Sequence, residues 1–261
     1  MLKPVIKTAY LVLLLSTVAH AAPWDLLGSW PTPGGPPRDI SDPGTQYILI
    51  GGNEPYIYRV WWLSGGGTEI LSSFPAPGGA GAWGLAYDPT AGGSFWLSNN
   101  QTSWIYKITT LGSLVCSFPS PLPGPAGMDR TGDYNPYGNW LFIAFPSLNV
   151  IGEINQTTGS LIETFPAPGA HATACGGLVY SYGYSFYVTD DYTHAVYKNG
   201  APVITSLQAP VGFSYIANTN DQVINIYVVD DATDYIYVYV TDEPYSAASP
   251  ASLGRIKALF R

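Results

Sequence analysis

The chain has 261 residues, of which 46% are apolar and only 11% are charged, and its formal net charge is −8. Ordinary soluble domains are about 25% charged, so this composition is poor in charge. The apolar content is large enough to fill the core of a sizeable domain. A basic nucleic-acid-binding protein is excluded, because the chain offers no cationic face that could neutralise phosphates.

The first 21 residues have the pattern of a secretory signal peptide. Lys3 and Lys7 give a positive start, residues 9–19 are largely apolar, and residues 19–21 (Ala-His-Ala) fit a small-residue cleavage site. The apolar run is too short to cross a bilayer, which needs about 20 residues, and no later segment is long and apolar enough. We therefore expect residues 1–21 to be removed and the protein to be secreted or held at the cell surface, without a transmembrane segment.

A short phrase, in which an aromatic residue is followed by Pro-x-Pro, recurs along the rest of the chain. The final prolines of successive copies are 44, 44, 47 and 42 residues apart. A repeat of about 40–45 residues with four short strands is typical of one blade of a β-propeller. The phrase starts with Trp30, Phe74, Phe118 and Phe165, and with Leu207 in a weaker fifth copy. We expect these side chains to pack between blades rather than to contact a ligand.

Counting the strands predicts an all-β fold, a five-bladed β-propeller over residues 22–243. The inner strands are expected near residues 39–42, 84–88, 126–130, 177–181 and 213–217. Only four outer strands lie within the repeats, and residues 26–30 match residues 70–74 position by position. We therefore expect the N-terminal strand to complete the last blade, which would remove the free edge of an open array. The alternatives, six blades or an open array, would need a sixth set of strands, and the sequence offers none.

The second repeat carries the pattern that resembles a known group. Residues 73–118 contain the segments FPAPGG, GLAYDP, FWLSN and IYKI in this order. The pattern is similar to the NHL-type repeat and to the repeat of the virginiamycin B lyase (streptogramin lyase) group, and it extends over nearly the whole mature chain. That group has seven blades, a divalent metal and catalytic His and Glu residues at one end of the channel. This chain has five repeats, keeps only His171 and His194 after the signal peptide, and lacks a Glu-x-His pairing. The resemblance therefore implies the architecture rather than lyase chemistry.

Propellers of this kind bind ligands at the mouth of the central channel, where two sets of loops meet. One set joins the outer strand of a blade to the inner strand of the next, and the other joins the second and third strands. The predicted ligand-binding residues in these loops are Arg38, Trp83, Asn99, Asn100, His171, Tyr192 and His194. Flat rings beside amide and acidic side chains suit a carbohydrate, which stacks through its C–H faces and hydrogen-bonds through its hydroxyls. Ordinary β-sheet composition would also account for many tyrosines and tryptophans.

The same loops contain a group of five acids. They are Asp190, Asp191, Asp230, Asp231 and Asp234. An oxygen-rich cluster with two imidazoles nearby could hold Ca²⁺ or a transition metal. The alternative is that these acids are solvated turn formers and that the protein has no cofactor, since no EF-hand or His-x-x-His spacing accompanies them.

These features favour an exported, non-catalytic binding or scaffold protein, with a carbohydrate or another exported protein bound at the channel mouth. The alternative is a metal-assisted lyase or hydrolase that uses Asp190, Asp191, His171 and His194. No catalytic residue is assigned, because the nucleophile elbow, the phosphate loop and the zinc motif are all missing from the sequence. Asp129 is the one acid that breaks the repeat within an inner strand.

The remaining features concern the two cysteines and the end of the chain. Cys116 falls on an outer strand of the second blade and Cys175 at the inner start of the fourth, so a whole blade separates them. A disulfide needs Cα atoms within about 7 Å, and we therefore expect two free thiols.

Residues 244–252 form a small, polar linker, and residues 253–261 form a short basic amphipathic tail. The protein is expected to be a monomer.

Overall fold

A computed structural model describes residues 22–41, 47–51, 55–62, 68–90, 93–130, 140–180, 183–218 and 223–244. The predicted signal peptide, nearly all of the predicted linker and the predicted tail lie outside these residues. Within the described part of the chain, no helix is long and apolar enough to cross a membrane. The described residues instead form twenty β-strands, numbered here in chain order.

Four antiparallel sheets are each made of four consecutive strands, listed here from the inner to the outer strand. Sheet 1 contains β2 (Pro37–Ser41), β3 (Tyr47–Gly51), β4 (Tyr56–Trp62) and β5 (Thr68–Pro75). Sheet 2 contains β6 (Ala82–Asp88), β7 (Ser94–Asn99), β8 (Trp104–Thr109) and β9 (Leu114–Pro119). Sheet 3 contains β10 (Met128–Arg130), β11 (Trp140–Phe145), β12 (Val150–Asn155) and β13 (Leu161–Pro166). Sheet 4 contains β14 (Ala172–Tyr180), β15 (Gly183–Asp190), β16 (Ala195–Lys198) and β17 (Ala201–Ile204).

The closing sheet joins the two ends of the described chain. It contains β18 (Pro210–Asn218), β19 (Val223–Asp230), β20 (Tyr235–Pro244) and, at its outer edge, β1 (Leu26–Pro31). β1 is antiparallel to β20, with Trp30 opposite Ile236. The N-terminal strand therefore completes the sheet formed by the last three strands, as the sequence predicted. The repeat units of the sequence thus correspond to four sheets that are continuous in the chain and one composite closing sheet.

The inner strands of the sheets surround a common axis. β2, β6, β10, β14 and β18 contact one another in this order, and β18 contacts β2 in turn. Each sheet extends outward from this ring through its second, third and fourth strands. The prediction of an all-β propeller is confirmed by this arrangement.

Two inner strands begin earlier in the chain than the sequence predicted, so those boundaries were wrong. β14 begins at Ala172 rather than near residue 177, and β18 begins at Pro210 rather than near residue 213. In both strands the pairing register shifts within the first three residues. This β-bulge breaks the two-residue alternation of side chains, and the sequence pattern becomes regular only beyond it.

The repeated aromatic residues lie between neighbouring sheets, as predicted. Each of five apolar clusters is formed by side chains from two adjacent sheets and includes one position of the repeat. These positions are Trp30 between the closing sheet and sheet 1, Phe74 between sheets 1 and 2, Phe118 between sheets 2 and 3, Phe165 between sheets 3 and 4, and Leu207 between sheet 4 and the closing sheet. The repeat in the sequence is therefore the packing unit that fixes each sheet against the next.

One carboxylate lies on the axis of the ring. Small residues occupy the equivalent position of the other four sheets. They are the third residues of β6, β14 and β18, namely Gly84, Ala174 and Gly212, and Gly127 directly before β10, while the third residue of β2 is Asp39. Asp39 is fully buried. Its carboxylate accepts the backbone N–H groups of Ile40 at 2.9 Å, Leu85 at 2.8 Å and Phe213 at 3.1 Å, and it also bonds to the backbone of Met128. Four of the five inner strands are therefore hydrogen-bonded to one side chain.

Candidate ligand site at the channel mouth

The two predicted sets of loops meet at one end of the ring. The Asn100 N–H donates to the Gly81 carbonyl at 2.9 Å, and the Asp231 N–H donates to the Ala209 carbonyl at 2.9 Å. Each of these hydrogen bonds joins a loop between second and third strands to a loop that leads into an inner strand. The residues predicted from the sequence as ligand contacts are therefore gathered around the mouth, and their individual geometry decides which can reach a ligand.

Asp190 holds the mouth loops of sheet 4 together. Its Oδ1 accepts the N–H groups of Tyr192 at 3.0 Å and Thr193 at 2.8 Å, and its Oδ2 accepts those of Ala170 at 2.5 Å and His171 at 2.6 Å. Burial alone would raise the pKa of Asp190, but these hydrogen bonds outweigh it and hold the pKa below its usual value. Asp190 is thus an acceptor for its own loops, which matches the turn-forming role that the sequence left open.

Asp230 has the same role in the closing sheet. Its Oδ1 accepts the N–H groups of Ala232 and Thr233, and its Oδ2 accepts those of Gln208 and Ala209. In sheet 2 the equivalent residue is Asn99, whose Oδ1 accepts the N–H groups of Gln101 and Thr102. All three of these residues are fully buried. Their side chains shape the mouth loops and do not face a ligand, whereas Asn100 beside them is only partly buried.

The residue after each buried aspartate pairs with a basic side chain. Asp191 accepts a hydrogen bond from His171 Nδ1 at 2.6 Å, and each side chain is 22% exposed. Tyr192 stacks on the same imidazole, with ring centroids 4.2 Å apart and an interplanar angle of 15°. Tyr192 is 67% exposed. The three residues form a stack that ends in an accessible aromatic ring, and we call it the Tyr192 platform.

Asp231, in the closing sheet next to sheet 4, pairs with Arg38. Arg38 donates to Asp231 Oδ2 at 2.8 Å, and its guanidinium carbon lies 4.6 Å from the ring centroid of Trp83. Burial raises the pKa of Asp231 above its usual value, although the Arg38 charge opposes this and the charges of Asp234 and Asp230 reinforce it. The guanidinium therefore lies between an acid and an indole, so both Arg38 and Trp83 are engaged within the protein.

The structure does not bring the five predicted metal ligands to one point. Asp190 and Asp230 bond to their own loops, while Asp191 and Asp231 pair with bases. His194 and Asp234 occupy equivalent left-handed loop positions, each at φ 58°, and His194 Nδ1 is hydrogen-bonded to the Gln208 carbonyl. Across the described ranges, no group of three or more His, Cys, Asp or Glu side chains is arranged to hold a metal ion. A Ca²⁺ site at these residues stays a prediction for experiment.

Sequence reasoning missed the importance of Asp39 and singled out Asp129 instead. Asp129 is half-buried on β10, and its Oδ1 accepts the N–H of the next residue, Arg130, at 2.8 Å. The signal for Asp39 lies in the repeat itself. When the inner strands are aligned by their pairing, Asp39 is the one acid at a position where the other strands have glycine or alanine.

A separate pocket of about 260 Å³ lies between sheets 3 and 4. Its lining residues are Pro166, Ala167, Pro168, Phe186, Val188, Asn199 and Gly200. In sheet 2 the outer hairpin places Gly112 against Phe74, and in sheet 3 it places Gly159 against Phe118. The outer hairpin of sheet 4 turns at Asn199 and Gly200, and no atom lies within 4 Å of where a Gly200 side chain would begin. The shorter hairpin leaves this space open, and none of the predicted site residues lines it.

Comparison with known proteins supports the fold and gives no family. No protein-family model matches the chain, and no curated protein matches it. A catalytically inactive virginiamycin B lyase from Staphylococcus aureus, solved with quinupristin, is 20% identical with a TM-score of 0.48, over 80% of this chain and 68% of that chain. A streptogramin B lyase structure is 18% identical with a TM-score of 0.46, over 81% of this chain and 67% of that chain. Glutaminyl cyclase from Myxococcus xanthus is 10% identical with a TM-score of 0.58, over 85% of this chain and 100% of that chain.

At these identities the similarity is one of fold alone. The NHL-type repeat therefore stays a resemblance in the sequence, without a matching family model. Any function has to be argued from the side chains at the channel mouth.

Proposed function

We propose that this protein is an exported, non-catalytic binding propeller whose ligand is a carbohydrate held on the Tyr192 platform. The observation that carries this proposal is the exposed ring of Tyr192, which stacks on His171 at 4.2 Å and is 67% exposed. One face of the Tyr192 ring lies on the imidazole, and the opposite face is free to receive the C–H face of a sugar ring.

The platform is held in place before any ligand arrives. His171 is fixed through Nδ1 by Asp191, and the backbone of Tyr192 is fixed by Asp190. A ring that is already ordered loses little conformational freedom on binding, so more of the stacking energy is expressed as affinity. This rigidity separates Tyr192 from an ordinary exposed tyrosine on a strand, whose ring would be ordered only by the ligand.

The platform and the neighbouring Thr193 also carry hydrogen-bonding groups. The second ring nitrogen of His171, the carboxylate of Asp191 and the hydroxyl of Thr193 belong to the same loops, and Thr193 also accepts from the Tyr197 hydroxyl at 3.1 Å. Sugar hydroxyls both donate and accept, so they match this mixture of carboxylate, imidazole and hydroxyl groups. The chemistry favours a polyhydroxylated ligand over a purely apolar one.

The proposal is tested by measuring binding to an array of purified glycans and confirming any hit by isothermal titration calorimetry. Tyr192→Ala should weaken the affinity for such a glycan at least about fivefold, because stacking on an aromatic ring contributes on the order of 1 kcal/mol or more. The variant should fold, because the equivalent loop of the closing sheet has Asp230, Asp231 and then Ala232. Tyr235→Ala is the matched control, since Tyr235 is also exposed but lies on β20. Equal affinity of the Tyr192→Ala variant and the native protein would refute the site.

A second candidate function rests on the 2.6 Å contact between His171 Nδ1 and Asp191. A carboxylate on one ring nitrogen fixes the tautomer and the orientation of the ring, so that the other nitrogen can accept a proton as a general base does. A hydrolase or lyase of this kind would convert a bound glycan. Slow release of new reducing ends or unsaturated sugars, abolished by His171→Gln but only weakened by Tyr192→Ala, would favour the enzyme over the binding protein.

Export is part of the proposal and rests on the sequence of residues 1–21. Expression of the full chain in a bacterial host should place the protein outside the cytoplasm, with a mass that corresponds to a start at Ala22. Recovery of the uncleaved chain from the cytoplasm would contradict this part of the proposal.

A further inference from the structure

Four of the five outer strands present a pair of adjacent apolar side chains to solvent. The pairs are Leu26 and Leu27 on β1, Ile70 and Leu71 on β5, Leu114 and Val115 on β9, and Leu161 and Ile162 on β13, with exposures between 37% and 57%. Each outer strand has a register shift at its pair, for example where Lys107 is opposite Cys116 while Ile108 is opposite Leu114. A β-bulge of this kind adds one residue and ends the strict alternation of side chains, so two consecutive side chains can both reach solvent.

The pair on sheet 2 differs from the others in its degree of exposure. Leu111 in the adjoining hairpin is 75% exposed, Leu114 is 57% exposed and Val115 is 55% exposed. These are the three most exposed aliphatic side chains in the described part of the chain. We call them the sheet 2 patch. They lie within five residues of sequence, at the outer edge of sheet 2 and in the hairpin that leads into it.

The sheet 2 patch also differs in its electrostatics. The 21 residues from Ile108 to Met128 contain no charged side chain, although the protein as a whole has a net charge of −8. The equivalent strands carry acids, with Glu69 on β5 and Glu163 on β13, and Asp25 directly precedes β1. Strand edges are commonly protected from self-association by such charges, and β9 lacks this protection.

We infer that the sheet 2 patch is a docking surface for a second copy of this chain, arranged about a two-fold axis. The charge distribution selects this occupant. Two copies of an acidic protein repel each other wherever their acids meet, and the uncharged segment around β9 is where two identical surfaces can approach without that cost. A two-fold contact pairs the same patch on both copies, so apolar side chains meet apolar side chains. The proposed dimer differs from the monomer expected from the sequence.

The contact should be weak. A stable protein interface buries about 1,200–2,000 Å² in total, and three aliphatic side chains on each copy form only the centre of such a contact. A dissociation constant in the micromolar range is therefore expected. Cys116 follows Val115 directly and is exposed, whereas Cys175 is buried. A dimer would bring two Cys116 thiols near the two-fold axis, where a short bifunctional maleimide could join them.

Sedimentation velocity over micromolar to millimolar concentrations tests the inference on the mature protein. The native protein should dimerise reversibly, and Val115→Lys should raise the dissociation constant at least about tenfold, because two like charges would then face each other across the axis. Ile162→Lys is the matched control, since Ile162 occupies the equivalent bulge of β13. It should leave the dissociation constant unchanged. Cross-linking through Cys116 should be equally efficient in the native protein and in Ile162→Lys, and much weaker in Val115→Lys.

A monomeric native protein at every concentration would overturn the inference, as would an equal loss of dimer in Ile162→Lys. If Val115→Lys fails to fold, Cys116→Glu serves in its place. This variant places an acid where β13 has Glu163, a residue that an outer strand of this protein already accommodates. Cys116→Glu should also abolish the dimer, and a dimer that persists with unchanged affinity in this variant would reject the surface.

Discussion

The carboxylate of Asp39 accepts the backbone N–H of Leu85 at 2.8 Å and thereby joins sheet 1 to sheet 2 at the axis of the propeller. The same carboxylate reaches the closing sheet through Phe213 at 3.1 Å. Asp39 is fully buried. No side-chain cation bonds to it in the described residues, so its partners are the backbone N–H groups of the ring. One side chain of an inner strand therefore connects the strands around it.

Asp39→Asn should destabilise the protein by at least about 2 kcal/mol. The amide keeps one acceptor oxygen, but its NH₂ group would point at backbone donors, and each buried donor left unsatisfied costs about 1–3 kcal/mol. Urea unfolding monitored by tryptophan fluorescence measures the change. Asp234→Asn is the control, because Asp234 is exposed and its left-handed backbone suits asparagine. Equal stability of the Asp39→Asn variant and the native protein would contradict the role assigned to Asp39.

The contribution of Asp39 should also depend on pH. Burial raises the pKa of Asp39 well above the ordinary value of 3.8, and the backbone hydrogen bonds only partly oppose this. Between the ordinary pKa of the unfolded chain and the raised pKa of the folded protein, Asp39 keeps a proton in the folded state that it releases on unfolding. The free energy of unfolding therefore falls as the pH rises through this window. The stability advantage of the native protein over Asp39→Asn should therefore be largest below the ordinary pKa and shrink as the pH rises. An advantage that grows with pH would indicate a lowered pKa instead.

The parts of this fold that sequence could predict are those encoded by repetition. The aromatic positions Trp30, Phe74, Phe118 and Phe165 recur because each fills the same space between two sheets. The likeness of residues 26–30 to residues 70–74 likewise predicted the pairing of β1 with β20, which no local pattern could indicate. Repetition reveals long-range pairing here because equivalent residues occupy equivalent positions in a ring.

Features that depend on how the sheets close around the axis could not be predicted in this way. Asp190 and Asp191 are adjacent in sequence and look alike, yet one binds four backbone N–H groups and the other pairs with His171. The difference arises because successive residues at the end of a strand point in different directions, toward the loops or toward the mouth. The stacking of Tyr192 on His171 joins residues from two loops, and no spacing in the sequence specifies it.

Closure of the ring through Trp30 gives the third prediction. Trp30 packs against the apolar cluster between the closing sheet and sheet 1. Trp30→Ala should cost about 2–4 kcal/mol, because it removes a large side chain from a packed contact. Leu27→Ala on the same strand should cost much less, since Leu27 is 48% exposed. Chemical denaturation of both variants measures the difference, and equal costs would mean that the packing of Trp30 does not hold β1.

The response to calcium gives the fourth prediction. Asp190 and Asp230 each accept four backbone N–H groups, which occupy about all of the lone-pair directions of a carboxylate. We therefore expect Ca²⁺ to raise the melting temperature no more than NaCl of equal ionic strength. A ligand that binds only the folded state must raise stability by mass action, so a metal site would be visible in this assay. A saturable rise with Ca²⁺ that disappears in Asp230→Asn and Asp231→Asn would establish the metal site that the sequence suggested.

The two thiols should react very differently, which gives the last prediction. Both cysteines are free, Cys116 is exposed on β9 and Cys175 is buried on β14. Burial raises the pKa of the Cys175 thiol well above its usual value, and the negative charges of Asp129 and Asp39 add to this effect, so little reactive thiolate forms there. At concentrations low enough to keep the protein monomeric, maleimide should label one thiol in the native protein and two after unfolding without a reductant, as read by intact mass. Cys116→Ser should give no label in the native state and one after unfolding. Failure to label either thiol after unfolding would reveal a disulfide, which the position of Cys116 in sheet 2 and of Cys175 in sheet 4 does not allow within one chain.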